Sequence, residues 1–184
     1  PNLQPEEAET MDIGFEYTVG NSVLDFVYFT TDLKNLITYA SSTYSNGSGT
    51  SNRHGAEMKF NSLIADNVYW RNSATFTVAE DGNGTRVTRR PKWMGLTAID
   101  YKKDSWTNTV EYLHTGSHLD IDSSTYATIT KPAVGVVNLH TSKVVNDKSN
   151  VVLSVNNAFD KTYDRPDGYA QHGRNILLTY KLKF

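Results

Sequence analysis

The chain ends in Arg174-Asn-Ile-Leu-Leu-Thr-Tyr-Lys-Leu-Lys-Phe184, and this stretch decides the fold. Every second residue from Ile176 to Phe184 is apolar, and the residues between them include Lys181 and Lys183. A period of two is the pattern of a β-strand that has one apolar face and one polar face. A tilted strand of about 9–11 residues is long enough to cross a bilayer. The stretch therefore predicts a membrane-crossing β-strand.

The same alternation recurs about nine times along the chain. In residues 11–19, for example, five apolar side chains share one face and polar or small residues occupy the other. No apolar run approaches the roughly 18 residues that a transmembrane helix needs. The sequence therefore predicts an all-β fold, with strands in residues 11–19, 23–28, 56–61, 68–78, 93–101, 106–115, 134–142, 151–156 and 175–184.

The connections between these strands alternate between short and long. Short connections are predicted at residues 20–21, 65–67, 102–105 and 143–149, and long ones at 34–52, 80–92, 116–133 and 159–173. All short connections then fall at one end of the strands and all long ones at the other. Outer-membrane barrels have this asymmetry, because their periplasmic turns are short and their extracellular loops are long. We predict an antiparallel, up-and-down transmembrane β-barrel.

The odd number of strands carries a further expectation. If Phe184 lies at the periplasmic end, the first strand also runs inward, whereas bacterial barrels have an even number of strands and both termini in the periplasm. An open sheet would also leave two unpaired edges in the membrane. Residues 1–184 are therefore expected to be the C-terminal portion of a larger barrel, with further strands before Pro1.

Composition and motifs argue against several other classes. The net charge of −2 gives no basic surface for nucleic acid, and the absence of Cys removes disulfides and thiolate metal sites. No Gly-x-Ser-x-Gly motif or other catalytic constellation is present, so neither an enzyme nor a cofactor is predicted.

Two groups of residues could suggest a metal, but we predict no metal site. His114 and His118 would lie about 13 Å apart on a continuous strand, too far to share one ion unless the chain turns at Gly116. Three acids of one loop, Asp160, Asp164 and Asp167, match no calcium-loop spacing and are expected to be solvated.

Several motifs occur in an order that resembles one family. The chain opens with Pro1-Asn-Leu-Gln-Pro-Glu6, continues with Asp32-Leu-Lys-Asn-Leu-Ile37 and Arg53-His-Gly-Ala-Glu57, and later has Arg89-Arg-Pro-Lys92. The most specific motif is Val155-Asn-Asn-Ala-Phe-Asp-Lys-Thr-Tyr163, with Ala158 where leucine is usual. Together with the terminal aromatic residue, these motifs resemble the TonB-dependent outer-membrane receptors over essentially the whole chain, in the C-terminal portion of a barrel of about 22 strands.

The resemblance implies active import across the outer membrane of a Gram-negative bacterium, powered through TonB. It also implies an N-terminal plug inside the barrel, and neither the plug nor the earlier strands are in this sequence. The expected partners are TonB, a small ligand, the barrel assembly machinery and outer-membrane lipid, and no nucleic acid. A ferric siderophore is the expected ligand, with cobalamin or haem as alternatives. A passive porin-like barrel and a soluble carbohydrate-binding β-sandwich are the competing classes.

Candidate functional residues fall into two groups. Aromatic and cationic side chains in the long loops suit ligands with oxygen-rich or anionic surfaces. These candidate ligand-binding residues are Tyr39, Tyr44, Arg86, Arg89, Tyr126, Tyr163, Arg165, Tyr169 and His172. The resemblance implies that the terminal strand is read by the barrel assembly machinery, through Ile176, Leu178, Tyr180, Leu182 and Phe184.

Overall fold

The structure is a computed structural model that describes residues 3–40 and 42–183. Its described residues form strands, turns and irregular segments, and none of them is helical. The strands are β1 (Glu7–Val19), β2 (Ser22–Lys34), β3 (Ile37–Ala40), β4 (Thr43–Asn46), β5 (Thr50–Ala65), β6 (Val68–Glu80), β7 (Trp93–Lys103), β8 (Trp106–Thr115), β9 (His118–Ile121), β10 (Thr128–Lys131), β11 (Val134–Asn146), β12 (Ser149–Asn156) and β13 (Asn175–Leu182).

Nine of these strands form one antiparallel sheet in the order β1-β2-β5-β6-β7-β8-β11-β12-β13. Each strand therefore pairs with its neighbours along the chain, and the predicted up-and-down sheet of nine strands is confirmed. Most strands are longer than their alternating segments: β2, predicted for residues 23–28, runs to Lys34. Four of its last five residues are polar, so the alternation is not recognisable there, but their backbones continue to pair with β5.

The four short connections are two-residue hairpin turns at residues 20–21, 66–67, 104–105 and 147–148. Three of them place a residue at positive φ: Gly20 at 55°, Asn67 at 64° and Asp104 at 52°. Positive φ matches the twist of a tight hairpin, which is why Gly, Asn and Asp occur there. The predicted connections at 102–105 and 143–149 were too long, because β7 continues to Lys103 and β11 to Asn146.

Two of the long loops contain hairpins that the sequence did not predict. β3 pairs with β4 inside the loop after β2, and β9 pairs with β10 inside the loop after β8. Each of these strands has only four residues, so an alternating pattern could not be recognised in them.

The large sheet has an apolar face and a polar face. Directly paired residues point to the same side, so the register carries one face across all nine strands. We call the face with Ile13, Phe15 and Leu178 the outer face, and the opposite one the inner face. Among the described residues, the buried apolar side chains are Phe29, Pro91 and Ala98. The apolar residues of this sheet therefore do not gather in a core between layers but remain exposed on the outer face.

The inner face carries paired polar groups instead. The Arg71 side chain donates from Nε to Asp100 Oδ2 at 2.5 Å and from Nη2 to Asp100 Oδ1 at 3.1 Å. Thr109 Oγ1 donates to the same carboxylate at 2.6 Å, and the amide of Asn138 donates to Glu111 at 3.0 Å. A polar inner face and an apolar outer face are the arrangement of a wide transmembrane barrel. No helix in the described part of the chain is long and apolar enough to span a membrane.

Candidate functional site

The long connections all lie at one end of the sheet. Loop A comprises residues 35–49, loop B residues 81–92, loop C residues 116–133 and loop D residues 157–174. In a barrel with short periplasmic turns, this end is the extracellular one. The loops are therefore where a ligand arriving from outside would first meet the chain.

Asp120 of loop C links three of these loops. Its carboxylate is fully buried and accepts a hydrogen bond from Arg89 Nε of loop B at 2.7 Å. It also accepts bonds from the backbone N–H groups of Ile121 at 2.7 Å and of Asp167, in loop D, at 2.8 Å. A further backbone bond runs from Arg89 N to Leu119 O at 2.6 Å. A single buried charge thus has partners from loops B, C and D.

The hydrogen bonds of Asp120 outweigh the cost of burying it. Burial raises the pKa of its carboxyl group. The bonds from the Arg89 side chain and from the backbone of Ile121 and Asp167 act in the opposite direction, and the net effect lowers the pKa from 3.8 to about 2. Asp120 is therefore ionised at neutral pH.

A second ionic link joins loops C and D. Lys131 Nζ donates to Asp164 Oδ1 and, at 2.8 Å, to Asp167 Oδ1. These bonds raise the pKa of the Lys131 ammonium group, and they contribute most to lowering the pKa of both carboxyl groups. The second oxygens of the two aspartates accept backbone bonds from Gly168 and Ser123. Asp164 and Asp167 are thus paired with a cation, and the expectation that they are simply solvated was wrong.

Three residues of the predicted family motif shape loop D. Asn157 is buried at φ 51°, and its side-chain amide donates to Lys161 O at 2.9 Å and His172 O at 3.1 Å. Its side-chain oxygen accepts from Lys161 N at 2.8 Å. Asp160 accepts from Arg174 N at 2.7 Å, and a Cβ on Gly173 would lie only 2.6 Å from the Asp160 carboxylate. These contacts hold the two ends of loop D together.

A cavity of about 650 Å³ lies between the sheet and loops C and D. The sheet contributes inner-face residues such as Leu113, Val136 and Asn138. Most other lining residues come from the two loops, and amides are frequent among them. The polar lining is Thr115, His118, Lys131, Asn138, Asn156, Asn157, Lys161, Thr162, Tyr163, Asp164, Arg165, Gln171, His172 and Asn175.

Three of the predicted ligand-binding residues line this cavity together: Tyr163, Arg165 and His172. Arg165 Nη1 donates to Thr115 Oγ1 of β8 at 3.2 Å, which directs its guanidinium group toward the sheet. His172 is exposed, while Tyr163 is half-buried. Their role in binding stays a prediction.

The other six predicted residues lie outside the cavity lining. Tyr39 and Tyr44 pair across the β3–β4 hairpin with ring centroids 4.8 Å apart. Arg86 forms a β-bridge with Glu80, and Arg89 is bound to Asp120. Tyr126 is 80% exposed and Tyr169 is 67% exposed.

Sequence reasoning missed the amides of the cavity. Asn138, Asn156 and Asn175 lie on strands, where the alternation marks only an inner face, and Gln171 is one polar residue among many in loop D. Lys131 was missed because its partners are 33 and 36 residues further along the chain. The motif that contains Asn157 and the candidate residues Tyr163, Arg165 and His172 were the signals that pointed to this region.

The two histidines lie on different faces of the fold. β8 ends before Gly116, and His118 Nδ1 lies 3.1 Å from Gly116 O. His118 lines the cavity, whereas His114 is opposite Gly95 and Gly135 on the outer face. In residues 3–40 and 42–183, no group of three or more His, Asp or Glu side chains is arranged to hold a metal ion.

The residues of the predicted assembly signal have outer-face positions on β13. Ile176 and Leu178 are each 70% exposed, and Tyr180 and Leu182 follow on the same face. Phe184, the last residue of the predicted signal, lies outside the described residues. The role of this strand in assembly stays a prediction.

Loops A and B contact each other through glycine. A Cβ on Gly49 would lie 2.2 Å from Gly82 O, and a Cβ on Gly82 would lie 2.1 Å from Ser48 O. Gly49 also has a φ of 79°. Neither position has room for a side chain, so the two loops approach backbone to backbone.

The large sheet is a single meander with a polar inner face, an apolar outer face and long loops at one end. This combination defines a wall segment of a transmembrane β-barrel. The family model described as TonB dependent receptor-like, beta-barrel matches residues 1–158. The chain belongs to the TonB-dependent receptor family, whose members are outer-membrane β-barrel proteins of Gram-negative bacteria.

Relatives and solved structures agree with this assignment. The chain is 29% identical over 192 residues to the vitamin B12 transporter BtuB of Vibrio cholerae, covering 100% of this chain and 30% of that protein. The ferric enterobactin receptor PfeA of Pseudomonas aeruginosa superposes with a TM-score of 0.83 at 17% identity, covering 99% of this chain and 32% of that one. The pyoverdine receptor FpvA of the same organism gives 0.78 at 20% identity, covering 99% and 30%. The chain thus spans about a third of these proteins.

Proposed function

We propose that the whole protein carrying this chain is a TonB-dependent transporter that takes up a corrinoid of the vitamin B12 type. Residues 1–184 would supply the C-terminal part of its barrel, and an N-terminal plug and earlier strands would complete it. The observation that carries the choice of ligand is the similarity of the entire chain to a vitamin B12 transporter. The proposed activity is transport, with no chemical conversion of the ligand.

The lining of the cavity supports a ligand rich in amides. Asn156 and Asn175 bond to each other and each keep a donor and an acceptor, whereas Gln171 donates to Arg165 O and Tyr169 O and keeps an acceptor. A corrin ring carries amide side chains that need both donors and acceptors. Lys131, one of the three Lys and Arg side chains of the lining, is paired with two aspartates of the protein. A wall with many amides suits a large ligand of low net charge.

A ferric siderophore, the ligand expected from the sequence, is the second candidate. Solved structures of the same fold include receptors for pyoverdine and ferric enterobactin. Lys161 and Arg165 could also provide positive charge to an anionic chelate. No observation on the described residues favours haem over these two ligands. Family membership sets aside the passive porin and the soluble β-sandwich.

Equilibrium binding to the purified full-length protein tests the proposal. We expect cyanocobalamin to bind, and the substitutions Tyr163→Ala and His172→Ala to weaken binding about tenfold each, which corresponds to about 1.4 kcal/mol. Tyr126→Ala is the matched control, because Tyr126 is in loop C but outside the cavity lining. Binding of a ferric siderophore without cyanocobalamin would favour the second candidate. Equal effects of all three substitutions would contradict the location of the site.

A further inference from the structure

The outer face contains a pit where it would otherwise be a continuous apolar wall. Ala74 of β6 pairs with Gly95 of β7, and the next outer-face pair is Asn72 with Thr97. These four small side chains are flanked by larger ones, with Phe60 opposite Asn72 and Tyr112 opposite Thr97. Together they leave a pit of about 410 Å³ on the outside of the sheet.

The polar groups at the base of the pit satisfy one another. Trp70 Nε1 donates to Thr97 Oγ1 at 2.9 Å, and Thr97 Oγ1 donates to Asn72 Oδ1 at 2.6 Å. The Asn72 amide in turn donates to the backbone oxygen of Phe60 at 3.4 Å. Each of these three groups therefore has a partner within the protein, and Tyr112 and His114 are the other aromatic polar residues of the lining.

The position of the pit identifies the medium around it. One outer-face row above it lie Phe76 and Trp93, and two rows below Asn72 lies Tyr101. Aromatic residues of this kind flank the apolar band of transmembrane barrels. The pit therefore lies between the two aromatic levels, where the surrounding solvent is lipid hydrocarbon, and its described lining contains no Asp, Glu, Lys or Arg.

The centre of the pit, at Gly95, has space for a side chain. A Cβ built on Gly95 would meet no atom closer than Ser73 O at 3.4 Å, and the backbone of Gly95 is not at positive φ. Glycine is therefore not required there by backbone conformation or by lack of space. Its effect is to leave a hollow that a larger side chain would fill.

We propose that this pit is a binding site for one acyl chain of a membrane phospholipid. The chain would lie over Ala74 and Gly95, between Phe60 and Trp70 on one side and Tyr112 on the other. The driving force is dispersion contact with these rings, which a flat barrel wall would provide only from one direction. This inference concerns the outer face and is independent of the ligand in the cavity.

Native mass spectrometry of the intact protein tests it. Protein purified in mild detergent is incubated with dioleoylphosphatidylethanolamine, and the detergent is then removed by collisional activation. We expect one phospholipid to be retained by the wild type and at least about fivefold less retention in Gly95→Leu, which is about 1 kcal/mol at 298 K. Ala74→Leu is a second filling variant, and heat-modifiable migration on gels reports that each variant has folded.

Val110→Leu is the matched control, because Val110 has an outer-face position on β8 next to Ile99 but does not line the pit. It should retain lipid as the wild type does. Equal retention in the wild type and in the folded filling variants would overturn the proposal. A stable dimer of barrels without bound lipid, disrupted by Gly95→Leu, would also overturn the proposal, because the occupant would then be a second copy of the chain.

Discussion

The arrangement of loops B, C and D depends most on one residue, the charged Asp120. A carboxylate without solvent contact is stable only with several donors, and Arg89, Ile121 and Asp167 provide them from three loops. The sequence predicted Arg89 as a ligand-binding residue, whereas the structure uses it to neutralise Asp120. That pairing spans 31 residues of sequence and could not be read from local pattern.

Replacing Asp120 with asparagine should loosen loops B and D. Asparagine keeps the size of the side chain but removes the charge that binds Arg89, at a cost of about 1–2 kcal/mol in local opening. We expect the backbone amide of Asp167 to exchange with deuterium about tenfold faster. Asp122→Asn is the control, because the Asp122 side chain accepts from Ser124 N and Thr125 N of its own turn. Unchanged exchange at Asp167 in the first variant would show that Asp120 is not the link.

The stability of the contacts that Asp120 makes with loops B and D should decrease at low pH. Because folding lowers the pKa of Asp120 from 3.8 to about 2, the stabilisation is complete above pH 3.8 and is lost as the pH falls toward 2. Asp164 and Asp167, which face Lys131, have lowered pKa values and act in the same direction. Hydrogen exchange at Asp167, corrected for its intrinsic rate, should show protection that is constant above about pH 5 and declines below about pH 4. A transition near pH 6 would instead show that these carboxylates do not control the protection.

At the level of elements, alternation predicted the nine strands of the sheet because the two faces of each strand are exposed to different media. It failed where the stretch is too short or too irregular for an alternation to be recognised. The end of β2 and the four-residue strands of the hairpins β3–β4 and β9–β10 are held by backbone pairing. The cavity could be predicted only in part: Tyr163, Arg165 and His172 stood out by residue type, whereas Asn156 and Asn175 did not.

The contact between loops A and B predicts a difference between two similar glycines. Gly49 and Gly84 have φ values of 79° and 76°, so alanine should cost each about 1–2 kcal/mol in backbone strain. Only at Gly49 does the added Cβ also meet the backbone of Gly82, while nothing lies within 4 Å at Gly84. Limited chymotrypsin digestion should therefore cut at Tyr39 or Tyr44 faster in Gly49→Ala than in Gly84→Ala. Equal rates would mean that the loop contact does not restrain the β3–β4 hairpin.

At the scale of the whole molecule, we propose that the described strands are one wall of a larger barrel. Within residues 3–40 and 42–183, β1 pairs with β2 alone and β13 with β12 alone. The chain spans 30% of the length of the Vibrio cholerae relative, and we propose that the remaining strands close the barrel around a plug. Because the family consists of outer-membrane barrels, the outer face is expected to contact lipid and the inner face the barrel lumen. The loops and the cavity are then expected at the extracellular end of the barrel.

Deleting Phe184 should reduce the amount of assembled full-length barrel in the outer membrane. The reason is the terminal alternation from Ile176 onward, which ends on this aromatic residue. Heat-modifiable migration on gels measures the yield of assembled barrel, and Phe184→Tyr, which keeps an aromatic ring, should assemble normally. Full yield after the deletion would contradict an assembly role for the terminal residue.

The central claim is that the protein imports a corrinoid by a TonB-dependent route. Its most direct test is the uptake of radiolabelled cyanocobalamin by Gram-negative cells that lack their own vitamin B12 transporter and produce the full-length protein, with and without TonB. We expect accumulation inside cells that have TonB, and only surface binding in cells without it. Equal uptake in both strains, or TonB-dependent uptake of a ferric siderophore with none of cyanocobalamin, would contradict it.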